Sequence, residues 1–591
     1  IHFLNPFLKI GAAKFWNTIY LILFIVLLIF YSADFGHYGY LHQRLSASVL
    51  DYLKDICTST KMMWQSYPVI RWLLGCIMLI LFFRWMIKKN HQLINHRQQY
   101  HRNRFTKISL PILFFLLLAF GIFGRIGQYP LRWSDAQDLG SDYKANLALN
   151  PFQSFASTMA FREKKIDMQL VKKYYPEIAS YYGLPINLNT DSPNITRQIS
   201  PRNEFVFNHP NVVLVICESF SAYKSSMYDN PLNTTPFFNS LCKNGIFFDR
   251  CFTPTYGTAR GIWAIITGLP DVTMGASTFT RNPELVSQHT IINDFKEYEK
   301  LYFIGGSASW ANIRGLLKHN IDNLHLYEQD DYDAPKIDVW GVSDKNVLLS
   351  ANKILDKQNK PFFSIIQTAD NHRPYTIPAE DEKKFNKIAV PKDSLLKYGF
   401  ESEDEFNAFR YTDYCFQQYM EAAQKEKYFN NTIFIFIGDH GIKGNVGNMF
   451  PKTWTENGLT AEHVPLLFYA PSMLQPKRFS FLCSQVDVLP TIAGLCGINY
   501  TNTTFGADIL DPQIIKADSG QNKRIMIFDY LNQTAGTAYQ NIFYQKNISN
   551  KKGKLFNIKN NEPVTQNDST LNTLNSFTQA WIEWARYLAY I

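Results

Sequence analysis

The sequence predicts an N-terminal α-helical transmembrane region followed by an extracytoplasmic α/β domain, with a mainly parallel central sheet flanked by helices. Three observations carry this. Within the first 125 of 591 residues lie three apolar runs. Beyond about residue 205, short β-branched runs alternate with helical stretches, as expected of strands buried on both faces of a sheet. Residues able to hold a metal or a phosphate stand just past those runs, where ligands collect in open α/β sheets.

The apolar runs are Trp16 to Tyr31, Trp72 to Ile87 and Ile108 to Gly124. Each is close to the length that about 30 Å of hydrocarbon asks of a helix. Only the second holds a charge, Arg84, near enough to its end to snorkel. No small-residue cleavage site follows the first run, so the runs read as anchors rather than a signal peptide. Between the second and third stand Lys88, Lys89, Arg97, Arg102, Arg104 and Lys107 without one Asp or Glu. The positive-inside rule places that segment in the cytoplasm, with Lys9 and Lys14 agreeing, and everything after Gly124 outside. These six cations explain most of the formal net charge of +9 as a topology signal. No nucleic-acid recognition motif accompanies them, which argues against DNA or RNA as a partner. The chain starts at Ile1, and further spans are expected upstream.

With 46% hydrophobic and 18% charged residues the chain is neither disordered nor collagenous nor a coiled coil. Its eight cysteines contain no CxxC pair, so neither a zinc ribbon nor a disulfide-dense scaffold is indicated. Buried free thiols are the first reading, while Cys242 with Cys251 and Cys483 with Cys496 are close enough in sequence to pair. We divide the chain into a transmembrane region (1–125), a juxtamembrane linker (126–204) with a helix around Met168 to Tyr182, a catalytic domain (205–500) and a C-terminal subdomain (501–591).

Strands are expected at Val212 to Cys217, Leu301 to Ile304, Phe362 to Gln367, Ile433 to Ile437 and Leu466 to Tyr469. After the first comes Glu218-Ser219, after the second Ser307 to Arg314, after the third His372, and after the fourth Asp439-His440. Any one Asp or His is more often a turn or cap residue. Converging on one rim, they form an O/N ligand set for Mn2+, Mg2+ or Zn2+. The segment PTYGTARGIWAIITGLP turns through glycine into an apolar helix. A hydroxyl at that entry gains from the helix N-terminus, and Thr258 reads as the nucleophile, against the plainer role of a helix cap.

NVVLVICESF, GTARGIWAIITGLP, GGSASWANIRG, QTADNHRPY, IFIGDHG, HVPLLFYAP and SQVDVLPTIAGLCGI, in that order, resemble the lipoteichoic acid synthase family of membrane phosphoglycerol transferases, within the alkaline phosphatase/sulfatase superfamily. The resemblance runs along the whole chain and is weakest beyond Thr501. It implies metal ligation by Glu218, Asp439 and His440, with Mn2+ first among the candidates, and a threonine nucleophile at Thr258 that also touches the metal. It places substrate contacts at Arg314 and His372, with Asn312 beside them, and has His372 either assist proton transfer or simply hold the phosphate. Where the best-known members have His-x-Asp and Trp-x-Arg, this chain has Gly305-Gly306-Ser307 and Asn312-Ile313-Arg314, so its head-group pocket differs. Counted back from Thr267-Gly268, Thr258 stands where sulfatases carry their nucleophile, but a threonine cannot become formylglycine, which favours phosphoryl chemistry.

The implied reaction moves a glycerol-phosphate group from phosphatidylglycerol to a glycan or polyglycerol-phosphate acceptor, at the outer face of a bacterial cell membrane. A phosphoethanolamine transferase of the same superfamily is the nearest alternative. A catalytically silent, membrane-anchored glycan- or lipid-binding protein is the third.

Overall fold

The computed structural model describes the chain apart from residues 1–12, 42–43, 46, 48, 51–63, 65–67, 98–103, 140–141, 160–165, 188–189, 203–206, 208, 275–277, 283–284, 517–521 and 550–552. Lys9, Cys57 and Arg102 therefore lie outside the described residues. Two compact units divide at Lys164/Lys165.

The first unit holds the three apolar runs as helices α1 (Ala13–Leu41), α2 (Val69–Arg97) and α3 (Arg104–Phe123). Among the described residues two stretches are long and apolar enough to cross a membrane, Phe15–Gly39 and Val69–Asn90. A shorter apolar stretch among the described residues, Pro111–Phe123, lies in α3. Lys88, Lys89 and Arg97 extend α2 rather than forming a loop, which suits residues of good helix propensity. Large apolar side chains such as Met78, Phe82 and Leu116 stay exposed on these helices.

The second unit is built on a nine-stranded sheet. Its strands are β1 (Asn211–Cys217), β2 (Ile246–Phe252), β3 (Glu299–Ile304), β4 (His325–Tyr327), β5 (Phe362–Gln367), β6 (Thr432–Gly438), β7 (His463–Tyr469), β8 (Lys477–Phe479) and β9 (Cys483–Ser484). They lie in the order β8-β2-β7-β6-β1-β5-β3-β4, with β9 also on β2. All five strands expected from the sequence are present. The sheet is mixed, which corrects the expectation of a mainly parallel one. β7 runs antiparallel to both β6 and β2. A continuous apolar run such as VPLLFY reports burial on both faces, and burial is the same whichever way a strand points.

Two apolar layers cover the sheet. On one side α4 (Thr258–Thr267) and the helix Val488–Leu495 pack over Val212, Leu214 and Ile216; on the other α5 (Glu403–Ala423) covers Val213, Val215 and Phe436. The tail forms a separate four-stranded antiparallel sheet, β10 (Arg524–Asp529), β11 (Thr534–Tyr539), β12 (Ile542–Asn547) and β13 (Gly553–Asn557). The last helix, Asp568–Ala589, packs on Met168–Tyr181, where Trp584 stacks on Tyr175 at 5.7 Å. Cys242, Cys251, Cys483 and Cys496 are free and buried.

Candidate active site

β1 and β6 are neighbours in parallel register, Cys217 opposite Gly438. The residues that follow each strand, Glu218 and Asp439-His440, therefore leave the sheet side by side. Ser219 follows Glu218 with φ +50°, a left-handed conformation that a non-glycine residue holds only when its surroundings impose it. Here the Ser219 amide donates to Asp439 Oδ1 at 2.7 Å, and Asn371 Nδ2 donates to the Ser219 carbonyl at 3.2 Å. The bent turn aims the Glu218 side chain at Asp439.

Ligand atoms of Glu218, Asp439 and His440 lie within 4.8 Å of one another, all buried. His440 Nδ1 donates to the Gly441 carbonyl at 2.7 Å, which leaves the lone pair on Nε2 facing the cluster. Asp439 Oδ1 accepts from two backbone amides, while Oδ2 is buried with no hydrogen-bond partner among the described residues. Burial, then the neighbouring Asp439 carboxylate, hold the Glu218 carboxyl well above its ordinary range. Two crowded carboxylates, an orphaned carboxylate oxygen and an aimed imidazole lone pair fit a divalent cation, which would relieve all three costs.

Thr258 opens α4 after Gly257, whose φ of 107° turns the chain into the helix. Its Oγ1 lies 3.4 Å from Glu218 Oε2 and 3.2 Å from His440 Nε2. The first amides of a helix lack intrahelical acceptors, so this hydroxyl sits where negative charge is favoured. Close approach of α4 to the cluster depends on Gly261, where a Cβ would overlap the Asp439 carbonyl. Gln485 Nε2 fixes that backbone from the other side, donating to the carbonyls of Gly438 at 2.8 Å and Asp439 at 2.6 Å.

Thr258 and His440 line a cavity of about 430 Å³. His372 also lines it, its ring 4.2 Å from that of Trp340. Thus Glu218, Thr258, Asp439, His440 and His372 come together at one site. Asn312 and Arg314 do not line this cavity. Arg314 makes a two-pronged ion pair with Glu328, at 2.8 and 2.6 Å, and Asn312 Nδ2 donates to the Thr280 carbonyl. The cations on the cavity wall are instead Arg260, Arg281 and Arg373. Arg260 is buried and stacked at 3.8 Å over Tyr530, and Arg373 is paired with Glu401. Tyr256, beside His440, is pushed up to about 12 by burial.

Several of these residues escape sequence reasoning. Asn371 stands in the quoted NHRPY segment and could have been found there. Tyr530 had no signal, because it reaches the site through tertiary contact alone, the Phe528 amide donating to the Pro254 carbonyl at 2.8 Å just ahead of the Thr258 turn. His463, in the HVPLLFY run, is enclosed by Tyr228, Phe252, Phe450 and Trp454 and so is a packing residue. Asp487 closes a capping box with Ser484 and pairs with Lys523 at 2.6 Å.

The Sulfatase family matches residues 210–498. Lipoteichoic acid synthase-like YvgJ of Bacillus subtilis is 25% identical over 346 residues, 56% of this chain and 54% of the relative. Lipoteichoic acid synthase of Staphylococcus aureus is 24% identical over 392 residues, 62% of this chain and 55% of the relative. The chain thus spans about half the length of the curated relatives it matches. The crystal structure of lipoteichoic acid synthase LtaP from Listeria monocytogenes superposes with a TM-score of 0.54 at 18% identity, covering 70% of this chain and 97% of that one, which speaks for the fold.

Proposed function

We propose that this chain, a lipoteichoic acid synthase-like member of the alkaline phosphatase/sulfatase superfamily, is a membrane-anchored phosphoglycerol transferase acting through a covalent threonine intermediate. The observation that carries this reading is the Thr258 hydroxyl, placed at a helix N-terminus within 3.4 Å of both Glu218 and His440.

Glu218, Asp439 and His440 would hold one divalent cation, with Thr258 against it; Mn2+ leads the candidates, with Mg2+ and Zn2+ also suited to this O/N set. When bound, such an ion supplies Lewis-acid stabilisation of phosphoryl oxygens and favours the alkoxide form of a nearby hydroxyl. Thr258 Oγ1, its proton released to solvent, attacks the phosphorus of phosphatidylglycerol as the alkoxide, the phosphorus–oxygen bond to diacylglycerol breaks, and that oxygen takes a proton from His372. The helix N-terminus and the wall arginines oppose the charge gathering on the phosphoryl oxygens. An acceptor hydroxyl, on a glycan or a polyglycerol-phosphate chain, then gives its proton to His372 and displaces Thr258 from phosphorus as the alkoxide, which regains a proton from solvent. Apolar α1 and α2 would hold the catalytic unit at the outer face of the membrane, beside its lipid donor.

A phosphoethanolamine donor has one observation in its favour, since Glu401 and Glu405 also line the cavity and a carboxylate suits an ammonium group. Both are already engaged, Glu401 by Arg373 and Glu405 by the buried Lys224. Donor profiling tests the choice. The protein should release diacylglycerol from phosphatidylglycerol in preference to phosphatidylethanolamine; the opposite preference would refute the phosphoglycerol reading.

A further inference from the structure

His372 reaches the cavity from the loop that follows β5, residues 368–375, and that loop is held from behind by residues 338–344. Trp340 Nε1 donates to the Arg373 carbonyl at 2.7 Å, and the Trp340 ring lies 4.2 Å from that of His372. The Val342 amide donates to the Gly305 carbonyl at 2.9 Å, which fixes the holding segment to the end of β3. Asp344, the first residue of the helix Asp344–Leu355, completes the hold. Its Oδ1 accepts from the Ala369 amide at 2.7 Å and its Oδ2 from the Asp370 amide at 3.1 Å, while Asp370 Oδ2 accepts from the Asp344 amide at 2.8 Å. Each aspartate thus clasps the other's backbone.

Both side chains are buried. The neighbouring cation, Lys345, is taken up by Glu380 and Asp381. Burial raises both carboxyls; the Asp344 charge raises Asp370 further, whereas the Ala369 and Asp370 amides pull Asp344 back. The helix N-terminus favours charge at Asp344 as well. Asp344 is therefore the ionised member and Asp370 the protonated one, and one buried charge costs far less than two. Beyond the clasp the loop meets the candidate ligand cluster, where Asn371 Nδ2 donates to the carbonyls of Glu218 at 3.1 Å and Ser219 at 3.2 Å. Asp344 itself does not line the cavity.

We infer that Asp344 is a positioning residue for the reaction: by accepting two successive loop amides, it sets the course of the backbone that presents Asn371 to the ligand cluster and His372 to the substrate. The course matters because a proton passes only across hydrogen-bond reach, about 2.6–3.2 Å. The inference rests on the proposed role of His372 in proton transfer.

Two same-size substitutions in the full chain separate the partners. Asp344→Asn turns one of two acceptors into a donor facing an amide, and should lower the turnover of diacylglycerol release about 100-fold, the cost of a displacement near 1 Å, with a much smaller change in KM. Asp370→Asn resembles the protonated acid and keeps an oxygen for the Asp344 amide, so its loss should be far smaller. In His372→Ala most of the further cost of Asp344→Asn should vanish, since the two act through one group. A residue that served stability alone would cost the same in both backgrounds. Melting curves verify that each variant is folded, and Asp344→Ser, which keeps a single acceptor, is the second variant where Asp344→Asn does not fold. Hydrogen–deuterium exchange gives a readout that needs no substrate: the amides of residues 369 and 370 should exchange slowly in the wild type and at least about ten-fold faster without the carboxylate, as loss of a charged hydrogen bond predicts. Fast exchange in the wild type, equal losses in Asp344→Asn and Asp370→Asn, or an undiminished cost in His372→Ala would overturn the inference. A wild-type protein that releases no diacylglycerol would instead refute the phosphoglycerol reading, and exchange alone would then decide the clasp.

Discussion

Thr258 has one hydroxyl proton and two acceptors, Glu218 Oε2 and His440 Nε2, and it also lines the cavity, so its oxygen stands between the cluster and the space a substrate would enter. The residues that keep the cluster in place are as testable as its members. Gln485 holds the Gly438 and Asp439 carbonyls without touching the candidate metal position. Gln485→Leu should lower metal affinity about 10–100-fold, the usual effect of removing a supporting hydrogen bond, as read by metal titration of the purified protein; unchanged affinity would show the backbone there to be held by packing alone. His463 makes a different prediction. Burial pushes it down to about 4 from an ordinary 6.5, so it is neutral when folded and takes up a proton more readily when unfolded. Its contribution is present above pH 6.5 and is lost as pH falls toward 4, up to about 3 kcal/mol. Denaturant midpoints across that window should fall in wild type and be flatter in His463→Phe. At this scale the clustering of Glu218, Asp439 and His440 was legible because each follows a strand by one or two residues. The pairing of Arg314 with Glu328 was not, since nothing local marks which of several nearby oxygens a guanidinium will choose.

At the scale of elements, the site depends on α4 approaching the end of β6. Gly261 is the point of contact, and Gly261→Ala should push the helix off the Asp439 carbonyl. Overpacking of this kind costs about 1–3 kcal/mol, and a displacement near 1 Å at the Thr258 turn costs about 100-fold in turnover. Thermal melting and diacylglycerol release measure the two effects, and a variant with wild-type turnover would show that the close contact is dispensable. Five central strands could be read from their apolar runs. β2 could not, because Asp249 and Arg250 interrupt IFFDRCF; both serve the sheet edge, where charge is tolerated. The antiparallel course of β7 was hidden for a related reason, since burial pattern carries no direction. The tail sheet, β10 to β13, alternates weakly and is recognised only through its contacts, such as Thr255 bridging to Phe528.

On the scale of the whole molecule, two units carry different physics. One has apolar helices whose side chains remain exposed, and the other a covered sheet with a polar rim. With α1 and α2 as spans, the protein should stay with the membrane fraction through alkaline extraction; release into the supernatant would remove the anchoring from the account.

The central claim is that Thr258 becomes covalently linked to phosphoglycerol. The most direct measurement is the intact mass of the detergent-purified protein after incubation with phosphatidylglycerol or phosphatidylethanolamine and Mn2+, beside Thr258→Ala. The account predicts a phosphoglycerol adduct that maps to Thr258 and vanishes in the variant, together with a loss of transfer of at least about 1,000-fold. An ethanolamine-phosphate adduct, or full transfer activity in Thr258→Ala, would contradict it.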